Sequence, residues 1–249
     1  MKTKTENDEQ PGVRFWEHAG EVGYWKAMYA SQDVATHTTR RLWNIAIDIG
    51  KQLGLKEDSH VLDLGCGDGV FANEVLARHF RTVEGMDASK PAIDRAKAGA
   101  ANEGSFRVCD ITKVDLATLP HYDAVFLMGI LHHVKKGTPE IVQQVRKITN
   151  RVIVLEPNGN NLLRKCLEFS PEYRKAGEQS FTRNQIERIF SDAGFEKVLC
   201  QRLNPFSVVT PKFVFRALVP FEGTIESTPV LRTICTTNMW GFRAKTQGA

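Results

Sequence analysis

Between residues 40 and 65 the apolar positions of the chain change their period. Leu42, Ile45, Ile49 and Leu53 recur every three or four residues, which gathers them on one face of a helix that Gly54 ends. The next apolar run, Val61, Leu62 and Leu64, is short and stops at Gly65, as a buried strand does. Four more such runs follow, at Thr82–Ser89, Phe106–Ile111, Tyr122–Gly129 and Arg151–Leu155. The one at Tyr122 is apolar almost throughout, which suits a strand covered on both faces. Helices are expected between the runs, near 70–79, 90–102 and 138–149. Beyond Leu155, residues 162–177 read as helical, and Thr182 as the N-cap of a helix ending at Ala193–Gly194. Phe195–Arg202 and the β-branched run Leu231–Lys245 complete seven strands. Strands alternating with helices predict an α/β fold with a doubly wound, mostly parallel sheet.

The turn after the first strand, in Val61-Leu62-Asp63-Leu64-Gly65-Cys66-Gly67-Asp68-Gly69, carries the first chemistry. Glycine at 65, 67 and 69 lets the backbone bend sharply and bring peptide N–H groups against a ligand that a Cβ would hold off. A dinucleotide site asks for G-x-G-x-x-G or A, but Val70 stands at the third small position. The carboxylate of Asp63 is a poor neighbour for a pyrophosphate and a good one for an ammonium group. Asp87 ends the second strand 24 positions after Asp63, about the separation at which an acid binds ribose hydroxyls.

Written as VLDLGCGDG, this turn resembles motif I of the class I S-adenosylmethionine-dependent methyltransferases of small-molecule type. The runs ending at Asp87, Asp110 and Gly129 fall where that family places its next three strands, so the resemblance covers residues 40 to 200. It implies a Rossmann-like methyltransferase fold closed by an antiparallel pair, with S-adenosyl-L-methionine as cofactor and S-adenosyl-L-homocysteine as product. The cofactor residues it implies are Asp63, Gly65, Cys66, Gly67, Gly69, Asp87 and Ala88. Cys109, Asp110 and Ile111 join them around the adenine, and Met128 at the end of the fourth strand. That strand leads to Ile130, Leu131, His132 and His133 at the sulfonium end. An acceptor hydroxyl or acidic carbon needs a base, and histidine suits neutral pH. His133 and His132 are the catalytic candidates. Adjacent residues point in different directions, so one of them faces the acceptor, and His133 is preferred. The bland alternative is a histidine that packs on the cofactor or caps the next turn.

Outside the shared region the chain is less explicit. Residues 1–12 read as a loose tail, 13–56 as an N-terminal helical lid or cap, and 57–249 as the methyltransferase domain with insertions near 160–180 and 205–222. Phe15, Trp16, Tyr24, Trp25, Met28 and Tyr29 concentrate aromatic side chains ahead of the first helix. They either staple the helix to the sheet or cover the donor pocket, where aromatic faces suit a sulfonium. Trp16, Tyr24, Tyr29 and His37 are the substrate-side candidates there, and Glu156 and Asn158 in the turn after the fifth strand. Residues 205–222 hold four phenylalanines and four valines. This insert forms core or the wall of an apolar pocket, and core is preferred because large exposed apolar patches are rare.

Composition narrows the function. With 42% hydrophobic and 25% charged residues the chain is an ordinary globular one. A net charge of +4, from 33 basic and 29 acidic residues, is too dispersed to indicate nucleic acid. Gly129-Ile130-Leu131-His132 replaces the N-P-P-Y-like tetrapeptide of a base N-methyltransferase. No cysteine follows a proline where a cytosine C5 enzyme needs its nucleophile. Five cysteines without tight pairing fit a reducing cytoplasm, and neither C-x-x-C nor H-E-x-x-H is present to bind metal. The expectation is a cytoplasmic enzyme with a small-molecule acceptor, no membrane span, no metal, and a monomeric or homodimeric state. A protein methyltransferase and a non-catalytic S-adenosylmethionine-binding module remain the alternatives.

Overall fold

The computed structural model describes residues 31–101, 105–134, 137–168 and 180–246. A seven-stranded sheet runs through it in the order β3-β2-β1-β4-β5-β7-β6. The strands are β1 (His60–Leu64), β2 (Thr82–Asp87), β3 (Phe106–Val108), β4 (Ala124–Met128), β5 (Arg151–Pro157), β6 (Phe195–Leu203) and β7 (Thr237–Ala244). The first five pair in parallel, whereas β7 lies antiparallel between β5 and β6. The expected α/β class, strand count and antiparallel closing pair are all present.

Helix α1 (Gln32–Gln52) begins earlier than the Leu42 pattern marks, and Gly54 behind it adopts φ +92°, the left-handed form that ends helices on glycine. Its apolar stripe, with Leu42, Trp43, Ile47 and Ile49, packs with Phe71 and Leu76 on one face of the sheet. Phe71 and Leu76 belong to α2, the helical segment 70–79, whose middle Ala72–Leu76 is π-helical. α3 (Lys90–Ala98) starts at an N-cap, Ser89, whose side chain accepts from the Ala92 amide. Next come the short α4 (Leu131–Val134), α5 (Thr138–Ile148) and α6 (Leu162–Glu168). α7 (Arg183–Asp192) opens with a capping box between Thr182 and Gln185. α5 and α7 cover the opposite face, where Ile141, Val145, Ile186, Phe190 and Trp240 share one core. Side chains alternate along a strand. Leu62 and Leu64 therefore enter that core, while Asp63 shares with Val61 the face under α1.

Two sequence readings are corrected. Residues 231–234 form a 3₁₀ turn, and the last strand begins only at Thr237. Strand-like composition there reflects a turn with Val230, Leu231 and Ile234 left exposed. The insert is neither all core nor all pocket. It contains α8 (Lys212–Leu218) and leads into α9 (Glu222–Ser227). Phe206 and Phe215 pack on Val34 of α1, while Phe213 is 75% and Phe221 58% exposed. Among the described residues, no helix is long and apolar enough to cross a membrane.

Candidate active site

Strand order reverses between β1 and β4, and open α/β sheets bind ligands beyond the carboxyl ends of the strands at such a point. Gly65, Gly67 and Gly69 turn there with φ of +82°, +56° and +73°, values that side chains other than glycine rarely adopt. A Cβ on Gly65 would sit 2.1 Å from Ile130 Cδ1, and one on Gly69 2.5 Å from Ala96 Cβ. The first glycine lets the exit from β4 close on the turn, and the third lets α3 pack against it.

The amides of this turn do not point at a ligand as the sequence suggested. Those of Gly65 and Cys66 donate to Met86 O at 2.7 and 3.0 Å, and that of Gly69 to Cys66 O at 3.0 Å. The Gly67 amide donates to Asp87 Oδ2 at 2.9 Å, while Ser89 N–H donates to Asp87 Oδ1 at 2.8 Å. Glycine is required here for the bend and the bare approach, and Asp87 ties the two loops together. Burial raises the Asp87 pKa, opposed by the amides of Ser89 and Gly67.

Asp63 differs from every other acid in the crevice. It is 1% exposed, and its Oδ1 makes no hydrogen bond. Burial, and then the charge of Asp87, push its pKa from 3.8 to about 8. A buried carboxylate oxygen without a donor is costly unless something cationic completes it. The Cys66 thiol beside it is buried, and burial together with Asp63 and Asp87 keeps it protonated.

Farther along the edge, the Cys109 amide donates to Asp87 O at 2.8 Å, which carries the Cys109-Asp110-Ile111 bend against the tip of β2. Asp110 accepts from the Thr112 amide at 3.0 Å and hydroxyl at 2.6 Å, and pairs with Lys113 at 2.7 Å. Burial alone would raise its pKa, but these partners hold it below the usual range. Ile111 is buried, Met128 is half-buried and Ala88 is exposed at the end of β2.

At the other end, Gly129 (φ +80°) turns the chain from β4 into α4. The two histidines of α4 separate sharply: His132 is buried and His133 exposed, with ring centroids 3.9 Å apart. Beneath them Glu156, fully buried, accepts the Leu131 amide on Oε1 at 2.7 Å. Its Oε2 lies 2.8 Å from His132 Nδ1. The carboxyl and the imidazole share one proton along this contact, and whichever group carries it, His132 stays tied to Glu156. Burial pushes the Glu156 pKa up from 4.5 to about 8, opposed most by the Leu131 amide. Desolvation of the ring, and then His132, depress the His133 pKa and keep its imidazole neutral.

The remaining substrate candidates are placed variously. Asn158 is 1% exposed, and its Nδ2 donates to Cys235 O at 2.8 Å. Its Oδ1 accepts from Asn160 N and Asn238 Nδ2 at 3.1 Å each. Asn158 and Glu156 therefore brace the β5 turn from within and do not present themselves to a substrate. His37 lies on α1 with its Nε2 2.8 Å from Glu222 Oε2. With Asp33, Arg40 and Asn44 it borders a cavity of about 730 Å³. Trp16, Tyr24 and Tyr29 lie outside the described residues. Two groups escaped the sequence reading. Gly129 was signalled only by ending an apolar run, and nothing local marked Arg164 of α6, whose charge acts on both Glu156 and His133. No group of three or more His, Cys, Asp or Glu side chains that could hold a metal occurs among the described residues.

Comparison with known proteins bears on the family and the fold. A family model described as a methyltransferase domain matches residues 36–200. The chain belongs to the methyltransferase family. Among the relatives is an uncharacterized methyltransferase of Schizosaccharomyces pombe, 30% identical over 161 residues, which are 64% of this chain and 56% of that protein. The O-methyltransferase resE of Aspergillus sclerotiorum is 30% identical over 217 residues, covering 82% of this chain and 78% of its own. This methyltransferase-family chain spans about half the length of several curated relatives it matches. In fold it is similar to magnesium protoporphyrin IX methyltransferase from Synechocystis PCC 6803 with bound S-adenosylhomocysteine. That likeness has a TM-score of 0.60 at 16% identity and covers 94% of this chain and 99% of the other.

Proposed function

We propose that the chain transfers the methyl group of S-adenosylmethionine to a hydroxyl group of a small organic acceptor, with His133 as the base. The observation that carries the reading is Asp63 Oδ1, buried at the carboxyl edge of β1 without a hydrogen bond. An ammonium group satisfies it, and the methionyl moiety of this donor carries one. The other residues fit the same molecule: Asp87 at the ribose, Ala88, Cys109, Asp110 and Ile111 about the adenine, and Met128 toward the sulfur. Relatives named as O-methyltransferases favour a hydroxyl over an amine or carbon acceptor.

When bound, the donor supplies an electrophilic methyl carbon on a good leaving group, so the protein's task is alignment and proton removal. His133 is exposed and its imidazole is neutral, the protonation state a base needs, and its depressed pKa makes it a weak one. His132 does not compete for that role, since Glu156 holds it in the interior with its ring against His133. Glu156 thereby orients the pair through His132 and through the Leu131 amide.

Calorimetric titration with S-adenosylhomocysteine, compared with the Asp63→Asn variant, tests the cofactor half. Transfer of radiolabelled methyl from the donor to a panel of phenols tests the rest. Binding lost on Asp63→Asn and turnover lost on His133→Gln support the reading. Wild-type binding with no transfer to any acceptor supports a binding module instead, and absence of binding removes both.

A further inference from the structure

Exposed large apolar side chains are not spread evenly over the molecule. Seven of the eleven found among the described residues fall between Val209 and Ile234, in the excursion that joins β6 to β7. The excursion is two-sided. α8 turns Phe215 inward onto Phe206 and Val34 and leaves Phe213 outside. Farther along the excursion Leu218 and Phe221 are exposed as well, as are Val209, Val230 and Leu231.

Charge is sorted in the same way. The only acids between residues 204 and 236 are Glu222 and Glu226, and both turn inward. Glu222 meets His37 at 2.8 Å and Arg41 at 3.2 Å, while Glu226 pairs with Arg41 and accepts the Asn204 amide at 2.7 Å. The excursion's cations, Lys212, Arg216 and Arg232, are exposed. Asp33 of α1 lies 2.8 Å from Lys212 and 3.8 Å from Arg216, one anion against two cations. The result is an outward surface of aromatic and aliphatic side chains interspersed with basic charge, the combination that binds an interface of acyl chains and anionic headgroups. A protein partner of ordinary composition supplies no reason for the excursion's own outward charges to be all basic.

We propose that this face docks on the surface of an anionic lipid bilayer. β6 runs parallel to β5, so the excursion leaves the sheet at the same edge as the crevice, and docking there brings the crevice edge toward the membrane. The proposal concerns attachment alone and does not require methyl transfer.

Co-sedimentation of the full chain tests it, using vesicles of phosphatidylcholine alone and vesicles containing about one quarter phosphatidylglycerol. The expected result is binding to the anionic vesicles that weakens with salt. Phe213→Ser with Phe221→Ser should lower the partition coefficient by about tenfold or more. Arg216→Glu with Arg232→Glu should abolish the preference for anionic lipid. Circular dichroism melts of both variants should match the wild type, since these side chains are exposed. Absence of the wild type from the anionic pellet, or equal sedimentation of the variants, overturns the proposal. So does a solution dimer that Phe213→Ser with Phe221→Ser converts to monomer, because a second copy then owns the face.

Discussion

The two ends of the carboxyl edge are made of different material. At β1 and β2 the site is backbone: left-handed glycines, amides returned to Met86 and Asp87, and one buried acid. Beyond β5 and β6 the edge is made of side chains, on an excursion held to α1 by ion pairs and a small aromatic cluster. Its stem turns at Asn204, which has φ +62° and receives the Phe206 amide on its own side chain. Backbone geometry demands particular residues at particular places, whereas a packed excursion accepts many sequences. The first end therefore depends on residue identity at each position, and the second on the packing of the excursion as a whole.

Asp63→Asn should separate the two ends most sharply. Loss of one partner from a buried charge pair costs about 3–5 kcal/mol, so donor binding should weaken by roughly two to four orders of magnitude in calorimetry. Stability without ligand should move the other way. The folded pKa of Asp63, about 8, lies above its ordinary 3.8, so the folded state holds the proton more tightly. Stability then falls as pH rises from about 4 through about 8, by on the order of a few kcal/mol. Urea melts of Asp63→Asn should lose that slope and show a higher midpoint at pH 8. An unchanged slope would place the buried proton elsewhere.

His133→Gln should lower kcat by about 10²- to 10³-fold while leaving the calorimetric affinity for S-adenosylhomocysteine within about twofold. Equal loss in both would mean that the histidine packs on the cofactor. On the excursion, Phe215→Ala should lower stability by about 3–5 kcal/mol, because it opens the cluster with Phe206 and Val34. Affinity for the donor should stay near wild type. Glu156→Gln is a smaller and more selective change. The amide keeps an oxygen for the Leu131 N–H and offers His132 Nδ1 a donor that cannot ionise, so the pair loses its exchangeable proton. A fall in kcat of about tenfold with an altered pH profile is expected, and Glu156→Asp should recover part of it. A changed melting temperature with an unaltered profile would make Glu156 purely structural.

The cofactor end was legible in the sequence for a physical reason. Its residues follow strand ends in order, and the β1 turn admits only glycine where a Cβ would meet Ile130 or Ala96. Even so, the destination of the amides was not readable, since it depends on the β1–β2 register that sets Met86 beside Leu64. The acceptor end was less legible. That His132 is buried and His133 exposed depends on the orientation of a four-residue helix, and Glu156 and Asn158 are polar residues drawn inward by partners 24 and 77 positions away. Composition misread residues 231–234 as strand, because exposed β-branched residues serve a turn there as readily as a sheet.

Phe213 gives the smallest expected effect and the finest test of the contrast. It lies two residues from Phe215, with identical chemistry, on the same seven-residue helix. One is 75% exposed and the other 7%. Substitution of an exposed side chain that fills no cavity and satisfies no polar group changes stability by no more than about 0.5 kcal/mol. Phe213→Ser should therefore leave the urea midpoint, the donor affinity and turnover of a water-soluble acceptor at wild-type values. A loss of stability near that of Phe215→Ala would show that Phe213 is covered in solution, and the excursion would then have an inner face on both sides. A silent substitution leaves Phe213 with no role in folding, so that its cost in solubility is balanced only by something the outer face binds.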